Sequence, residues 1–262
     1  MSAIAALVLS FAIGLPLAIL AMLETGWRLG CHWRKRRPEA GAVGLSTVEA
    51  SIFGLMGLLI AFTFYGAAAR FDRHRELIGM EANTISTAWQ RLELLPAADQ
   101  PALRDLFRSY LDLRLAAFRS LPNPDAWLNH VRRAEALQGQ IWTLAADAAR
   151  RTGTGSRPTG FLVLSSLNEM FDITTTRRVA LETHPPDVIH GMLIFLVLAS
   201  SLFAGFAMSE SGRRSWLHFL AFSLLTSFTM YVIFDLEYPR VGMIRIDRAD
   251  DVLIELRQNL GN

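Results

Sequence analysis

From Ala50 to Ala69 the chain reads ASIFGLMGLLIAFTFYGAAA, 20 residues without a charge. As a helix that run is long enough to cross a hydrocarbon core of about 30 Å. No turn cluster ends it: from Arg70 to Leu95 the chain turns polar but keeps Ile78, Ala82, Ile85, Trp89 and Leu92 at helical spacing, and the first breaker is Pro96. One helix is therefore expected to start near Ser46, cross a membrane and continue to about Leu95, with an apolar stripe on its distal half. At about 1.5 Å per residue it is roughly 75 Å long, with some 40 Å outside the bilayer.

Three more uncharged runs are long enough to span, so the sequence predicts four membrane helices, at about 2–23, 48–69, 188–208 and 215–234. A mean hydropathy of +0.28 fits a membrane protein with one extramembrane domain. The first run lacks a basic residue ahead of it and a small-residue cleavage site behind it, so it is read as a span rather than a secretory leader. The chain then divides into a first membrane pair (1–69), an extramembrane helical domain (70–187), a second pair (188–234) and a tail (235–262).

The connection expected between Glu24 and Leu45 carries Trp27, Trp33 and the cluster Arg34, Lys35, Arg36, Arg37, and the link between spans three and four carries Arg213 and Arg214. Short basic loops face the cytoplasm, which places the helical domain in the periplasm or outside the cell. Arg70 to Asp187 holds 15 Arg against 14 Asp plus Glu, which leaves no electrostatic footprint for nucleic acid. Cys31 is the single cysteine, excluding an intrachain disulfide or a paired-cysteine metal motif.

Ser46 and Glu49 have capping-box spacing. Ala50, Gly54, Gly57 and Ala61 make a face of small residues that suits either packing within the chain or contact between copies. After Pro96, one amphipathic helix is expected from about Asp99 and a second from the Asn123-Pro124 cap. With the stalk of helix two and the segment Gly160 to Glu182, these suit an antiparallel bundle. Thr152 to Gly160 reads as a mobile link. Val241 to Ile246 reads as extended, and Asp247 as the cap of a short final helix.

Several motifs stand out along this framework. They are Arg70-Phe71-Asp72, Glu81-Ala82-Asn83, Leu94-Leu95-Pro96, Arg108-Ser109-Tyr110, Asp112-Leu113-Arg114, Leu167-Asn168, Arg177-Arg178, Asp235 to Arg240, and Gly242-Met243-Ile244-Arg245. In these motifs, over nearly its whole length, the chain resembles the bestrophin-like family of bacterial membrane proteins. Bestrophins proper are oligomeric anion channels whose second span lines the pore, so the resemblance implies a homo-oligomeric channel. Bestrophins keep their helical domain in the cytoplasm, opposite to the side indicated here by charge. No catalytic or calcium-binding set carries over.

Projected at 3.6 residues per turn, one face of helix two collects Thr47, Ser51, Gly54, Leu58, Phe62 and Tyr65, then Asp72, Glu76, Asn83, Thr87 and Gln90. Polar ends around an apolar middle suit a pore with a hydrophobic constriction, whereas Leu58, Phe62 and Tyr65 facing lipid is the ordinary role of such residues. A second cluster gathers at the membrane boundary: Arg70 and Asp72 after span two, Asp235, Glu237 and Arg240 after span four. Spans two and four run the same way in a four-span topology, so Arg70 is expected to pair with Asp235 or Glu237. A salt-bridge network and an ion-selecting ring are both open roles.

His190 and His218 begin spans that run in opposite directions, about 25 Å apart by helical rise, too far to share a haem. The remaining histidines lack metal-ligand spacing, and no catalytic set or phosphate loop stands out, so no cofactor, metal or enzymatic activity is expected. The reading is an all-α protein of the bacterial inner membrane, with four spans and an extramembrane bundle continuous with the second. In the lipid bilayer it would form a homo-oligomer conducting small anions. The alternative is a non-conducting scaffold or envelope signalling protein that binds a partner through its helical domain.

Overall fold

A computed structural model of the chain describes residues 3–36, 45–120, 123–151, 157–238 and 243–261. Among these there is no strand, and eight α-helices follow one another: α1 Ala3–Arg36, α2 Leu45–Arg91, α3 Gln100–Arg119, α4 Pro124–Arg151, α5 Arg157–Glu182, α6 Asp187–Met208, α7 Trp216–Glu237 and α8 Asp251–Asn259. Four of them, α1, α2, α6 and α7, contain windows long and apolar enough to cross a membrane. The chain divides into two compact units, residues 1–70 with 184–243, and residues 71–183 with 244–262.

In the first unit α1 is the hub, packing on both α6 and α7. A Cβ on Gly26 would stand 2.0 Å from the carbonyl oxygen of Leu202, and one on Gly205 would stand 2.0 Å from that of Leu23. The α1 and α6 backbones therefore touch, and only glycine fits at either point. Gly30 meets Phe206 and Ser209 one turn further along, so the two helices run in parallel. Ser223 donates its Oγ hydrogen to the carbonyl of Pro16 at 2.9 Å, and Arg214 pairs with Glu24 at 2.8 Å, so α7 runs antiparallel to α1. On α2, Phe53 meets Phe222 edge to face at 6.4 Å, while further along both helices Arg70 meets Glu237. The second and fourth membrane helices therefore run the same way.

Among the described residues nothing packs closely on the glycines of the small-residue face of α2. A Cβ on Gly54 or Gly57 would meet nothing within 4 Å. The close approach belongs instead to Gly26, Gly30 and Gly205. Nor is the segment after Glu24 a loop, because α1 continues to Arg36. No proline intervenes before Pro38, and Arg34, Lys35 and Arg36 in the last turn complement the negative end of the helix.

In the second unit, the distal half of α2 packs with α3, α4, α5 and α8 around one core that includes Ile78, Ile85, Phe107, Leu111, Ile141 and Leu167. Asp99 pairs with Arg151, and Tyr110 accepts from Gln138, so α3 and α4 are antiparallel. Ala149 beside Gly160 and Glu135 paired with Arg178 make α4 and α5 antiparallel too. Asn123 caps α4 by accepting the Ala126 amide at 3.3 Å.

The tail differs from expectation. Of the segment read as extended, Val241 and Gly242 lie outside the described residues and Met243–Ile246 is irregular, Asp247 opens a single 3-10 turn, and α8 has Asp250 at its N-cap without a side-chain capping bond. Buried Ile246, Leu253 and Leu260 fix this segment by packing. The start of α2 at Leu45 moves Ser46 inside the helix, away from the cap position. The predicted mobile link at 152–160 falls mainly on 152–156, outside the described residues, and α5 begins at Arg157.

Candidate functional site

Among the four apolar helices α2 has least cover. Only 6% of its most apolar window is buried, against 22%, 33% and 28% for the other three. Leu58, Phe62 and Tyr65 are 53%, 66% and 74% exposed, and Ser51 is exposed with its hydroxyl turned back to the Thr47 carbonyl at 2.9 Å. All four lie on the side of α2 away from Ala67, which is buried. The protomer thus presents a continuous apolar strip with a polar entrance at Ser51.

At the other end of this strip stands the charge cluster. Arg70 grips Glu237 with two hydrogen bonds, Nε to Oε2 at 3.0 Å and Nη2 to Oε1. The Glu237 side chain is 2% exposed and that of Arg70 33%. Asp235 has another task. Both its carboxylate oxygens accept the Met243 amide, at 3.1 and 3.0 Å, and this bond holds the chain where it leaves α7. Of the two partners expected for Arg70, the structure brings it to Glu237. Arg240 lies outside the described residues, while Asp72 is exposed and 3.6 Å from Arg75 on the next turn.

Along the distal half of α2, Glu76 pairs with Arg73 at 2.7 Å, Asn83 and Gln90 are exposed, and Thr87 is half-buried. The basic residues at the far end of the first unit are engaged as well. Arg34 binds Ser209 at 3.1 Å and Glu210 at 3.2 Å, and Arg214 lies 4.4 Å over the Trp27 ring. His190 stacks near Phe234 at 5.0 Å, and the His218 Nδ1 lies 2.6 Å from the Ser215 hydroxyl.

The second unit holds a charge cluster that sequence reading left unassigned. Glu81 is fully buried between Arg114, whose Nε donates to Oε1 at 2.6 Å, and Arg177, whose Nη1 donates to Oε2. Both guanidiniums lie against the Phe118 ring, at 5.0 and 3.9 Å. Burial pushes the Glu81 carboxyl up, but the two guanidiniums and their hydrogen bonds outweigh it and hold the group at about 2. Burial pushes the neighbouring Tyr110 phenol up to about 12, and its oxygen accepts from Gln138 at 3.3 Å.

A signal for this cluster was available. Glu81 falls between Ile78 and Ile85, Arg114 between Leu111 and Phe118, and Arg177 after Met170 and Ile173, each at i, i+3, i+7 spacing on a buried stripe. Three charges in core positions imply that they meet. The same α3 motif turns its other side to the tail: Asp112 takes Arg257 in a fork at 2.8 and 2.9 Å, and Arg108 donates to the Leu260 carbonyl at 2.6 Å.

Comparison with solved structures shows the same fold elsewhere. Two crystal structures of a bacterial bestrophin homolog from Klebsiella pneumoniae, each with one substitution, superpose with TM-scores of 0.67 and 0.69 at 14% and 16% identity. The first covers 97% of this chain and 99% of that one, the second 95% and 97%. No curated protein matches the chain. The sequence profile of the Bestrophin-like domain matches residues 17–250, nearly the whole length. Together with the four apolar helices, that match makes this a multi-pass membrane protein that belongs to the Bestrophin-like family.

Proposed function

We propose that the protein is a homo-oligomeric channel of the bacterial inner membrane that passes small anions, with α2 of each protomer lining the pore. The observation that supports this most is the uncovered α2. An apolar helix whose Ser51, Leu58, Phe62 and Tyr65 face is left exposed by the described residues has mainly lipid, another copy or a water-filled path to meet. Family membership and the shared fold favour the third for part of that face. Leu58, Phe62 and Tyr65 then form a hydrophobic constriction that opens by wetting. Gly54 and Gly57, with open space beside them, give neighbouring copies a place to approach.

In this reading residues 70–187 and the tail lie outside the bilayer, and the Arg70–Glu237 pair anchors α2 to α7 where the pore ends. The basic ends of α1 and of the α6–α7 link face the cytoplasm, and the helical domain faces the periplasm. The test is a cysteine scan along α2 in a Cys31→Ser background, read by an aqueous thiol reagent during ion flux. Reagent is expected to block flux from Ser51→Cys, Leu58→Cys, Phe62→Cys and Tyr65→Cys, and to leave Phe64→Cys on the opposite face unaffected. Equal effects around the helix would exclude α2 as the lining. A non-conducting scaffold would give no flux in any variant.

A further inference from the structure

Along the seam where α1 meets α7 lies a groove that is basic at one end and apolar beyond it, and it does not depend on whether α2 lines a pore. Two contacts fix the seam: Arg214 pairs with Glu24, and Ser223 bonds to the Pro16 carbonyl. In antiparallel helices the residue after each contact residue turns to the same flank, so Leu17 and Leu224, 59% and 60% exposed, both border this groove. Leu217 and Leu220 continue its face on α7, Ala21 and Arg28 on α1, all of them exposed. The other flank is covered: Phe222 meets Phe53 of α2, and Leu23 and Gly26 on the far side of α1 meet α6.

The basic end gathers three arginines. Arg28 spends its Nε on Glu24 and is 70% exposed, Arg214 shares the same Glu24 oxygen, and Arg213 is exposed. Glu24 thus offsets one charge of three. Glu210, with Glu49 near it, is engaged by Arg34, and Lys35 and Arg36 are exposed two turns beyond Arg28. Helix α7 starts here with no acidic residue in its first turn, and the Ser215 hydroxyl makes no capping bond, which leaves the positive end of the helix open. The exposed Trp216 ring suits the headgroup level. We propose that this groove binds one anionic phospholipid, its phosphate on Arg28, Arg213 and Arg214 and an acyl chain along Leu220, Leu224 and Leu17. Guanidinium forks match phosphate oxygens. From Trp216 to Leu224 the helix rises about 12 Å, within the roughly 15 Å of hydrocarbon in one leaflet. A zwitterionic headgroup would bring its own ammonium against the arginines, and free phosphate would leave the leucines bare.

The experiment is native mass spectrometry of the detergent-solubilised full chain with phosphatidylglycerol or phosphatidylcholine of the same acyl chains. One phosphatidylglycerol per protomer is expected to bind, at least fivefold tighter than phosphatidylcholine. Arg28→Gln combined with Arg213→Gln should abolish that preference, while Glu24 keeps Arg214. Leu220→Gln combined with Leu224→Gln, which makes the acyl path polar, should weaken phosphatidylglycerol about fivefold and serves if the first variant does not fold. Arg73→Gln combined with Arg75→Gln, the same change of charge just beyond Arg70, should leave binding intact. Each of the following would overturn the proposal: no preference in the wild type, full affinity in the folded groove variants, or an equal loss in the Arg73 and Arg75 variant. So would displacement of the lipid by an equal concentration of glycerol phosphate, or a smaller assembly with lipid still bound in the Arg28 and Arg213 variant, which would make this face a contact between copies.

Discussion

Arg70 and Glu81 are each one half of a charge pair, and they differ in what surrounds them. Glu237 is buried, so removing its partner strands a carboxylate, at a cost of about 3 kcal/mol, the low end for a broken buried pair because Arg70 is a third exposed. Arg70→Glu is therefore expected to lower the thermal midpoint of the solubilised protein, and adding Glu237→Arg to restore most of the loss. Combining it with Asp235→Arg should give no rescue, since Asp235 is committed to the Met243 amide. Rescue by the Asp235 swap instead would show that the pairing differs.

Glu81 gives a pH signature. Its carboxyl is held at about 2 in the folded protein against an ordinary 4.5, so its contribution, about 3 kcal/mol, is complete above pH 4.5. It is lost as pH falls from 4.5 towards 2. Thermal unfolding followed by circular dichroism at pH 6, 4 and 3 should show a falling midpoint for the wild type and a flatter, lower profile for Glu81→Gln. Parallel profiles would mean that Glu81 does not carry the acid sensitivity.

At the scale of the elements, what was legible in sequence follows from where each signal is local. The presence of four helices apolar enough to span, the unbroken passage of α2 through Arg70 and the Asn123-Pro124 start of α4 are set by runs of charge, apolar spacing and capping chemistry, all visible in one dimension. Which glycines touch a neighbour is a property of two helices at once. Gly54 and Gly57 lie three apart and Gly26 and Gly30 four apart, each pair on one helix face, and only the fold separates those that meet Leu202 and Phe206 from those that meet nothing. The burial of Glu81, Arg114 and Arg177 was legible from their places on apolar stripes, but which oxygen each guanidinium takes was not, since the three come from α2, α3 and α5. Over Met243 to Ile246, the described part of the segment read as extended, the chain is irregular, and burial of Ile246 against the helical core fixes its end.

This contrast between glycines gives a prediction. Gly205→Leu forces the α1 and α6 backbones apart and should cost about 3 kcal/mol, the upper part of the range for overpacking, because backbone rather than a side chain stands in the way. Gly54→Leu should leave the thermal midpoint of the protomer unchanged and reduce its oligomeric state, read by native mass spectrometry. A Gly54→Leu protein that keeps the wild-type assembly would remove this face from the contact between copies.

For the whole molecule, the two compact units imply two kinds of solvent for one chain. The first holds the apolar helices, the second a soluble-type core with its own buried charges. Orientation is testable through Cys31, which sits on α1 just before the basic cluster and is half-buried. In spheroplasts an impermeant maleimide is expected to leave Cys31 unlabelled until the membrane is opened. Labelling of intact spheroplasts would place the basic ends outside and the helical domain in the cytoplasm.

The most direct test of a pore lined by α2 is ion flux into liposomes holding the purified protein, with Phe62→Ala reconstituted in parallel. The account predicts chloride-dependent flux in the wild type that rises, or changes its ion preference, when the exposed Phe62 ring is removed. Flux absent from both proteins, with the oligomer intact, would contradict it and leave a scaffold that binds its partner through the helical domain.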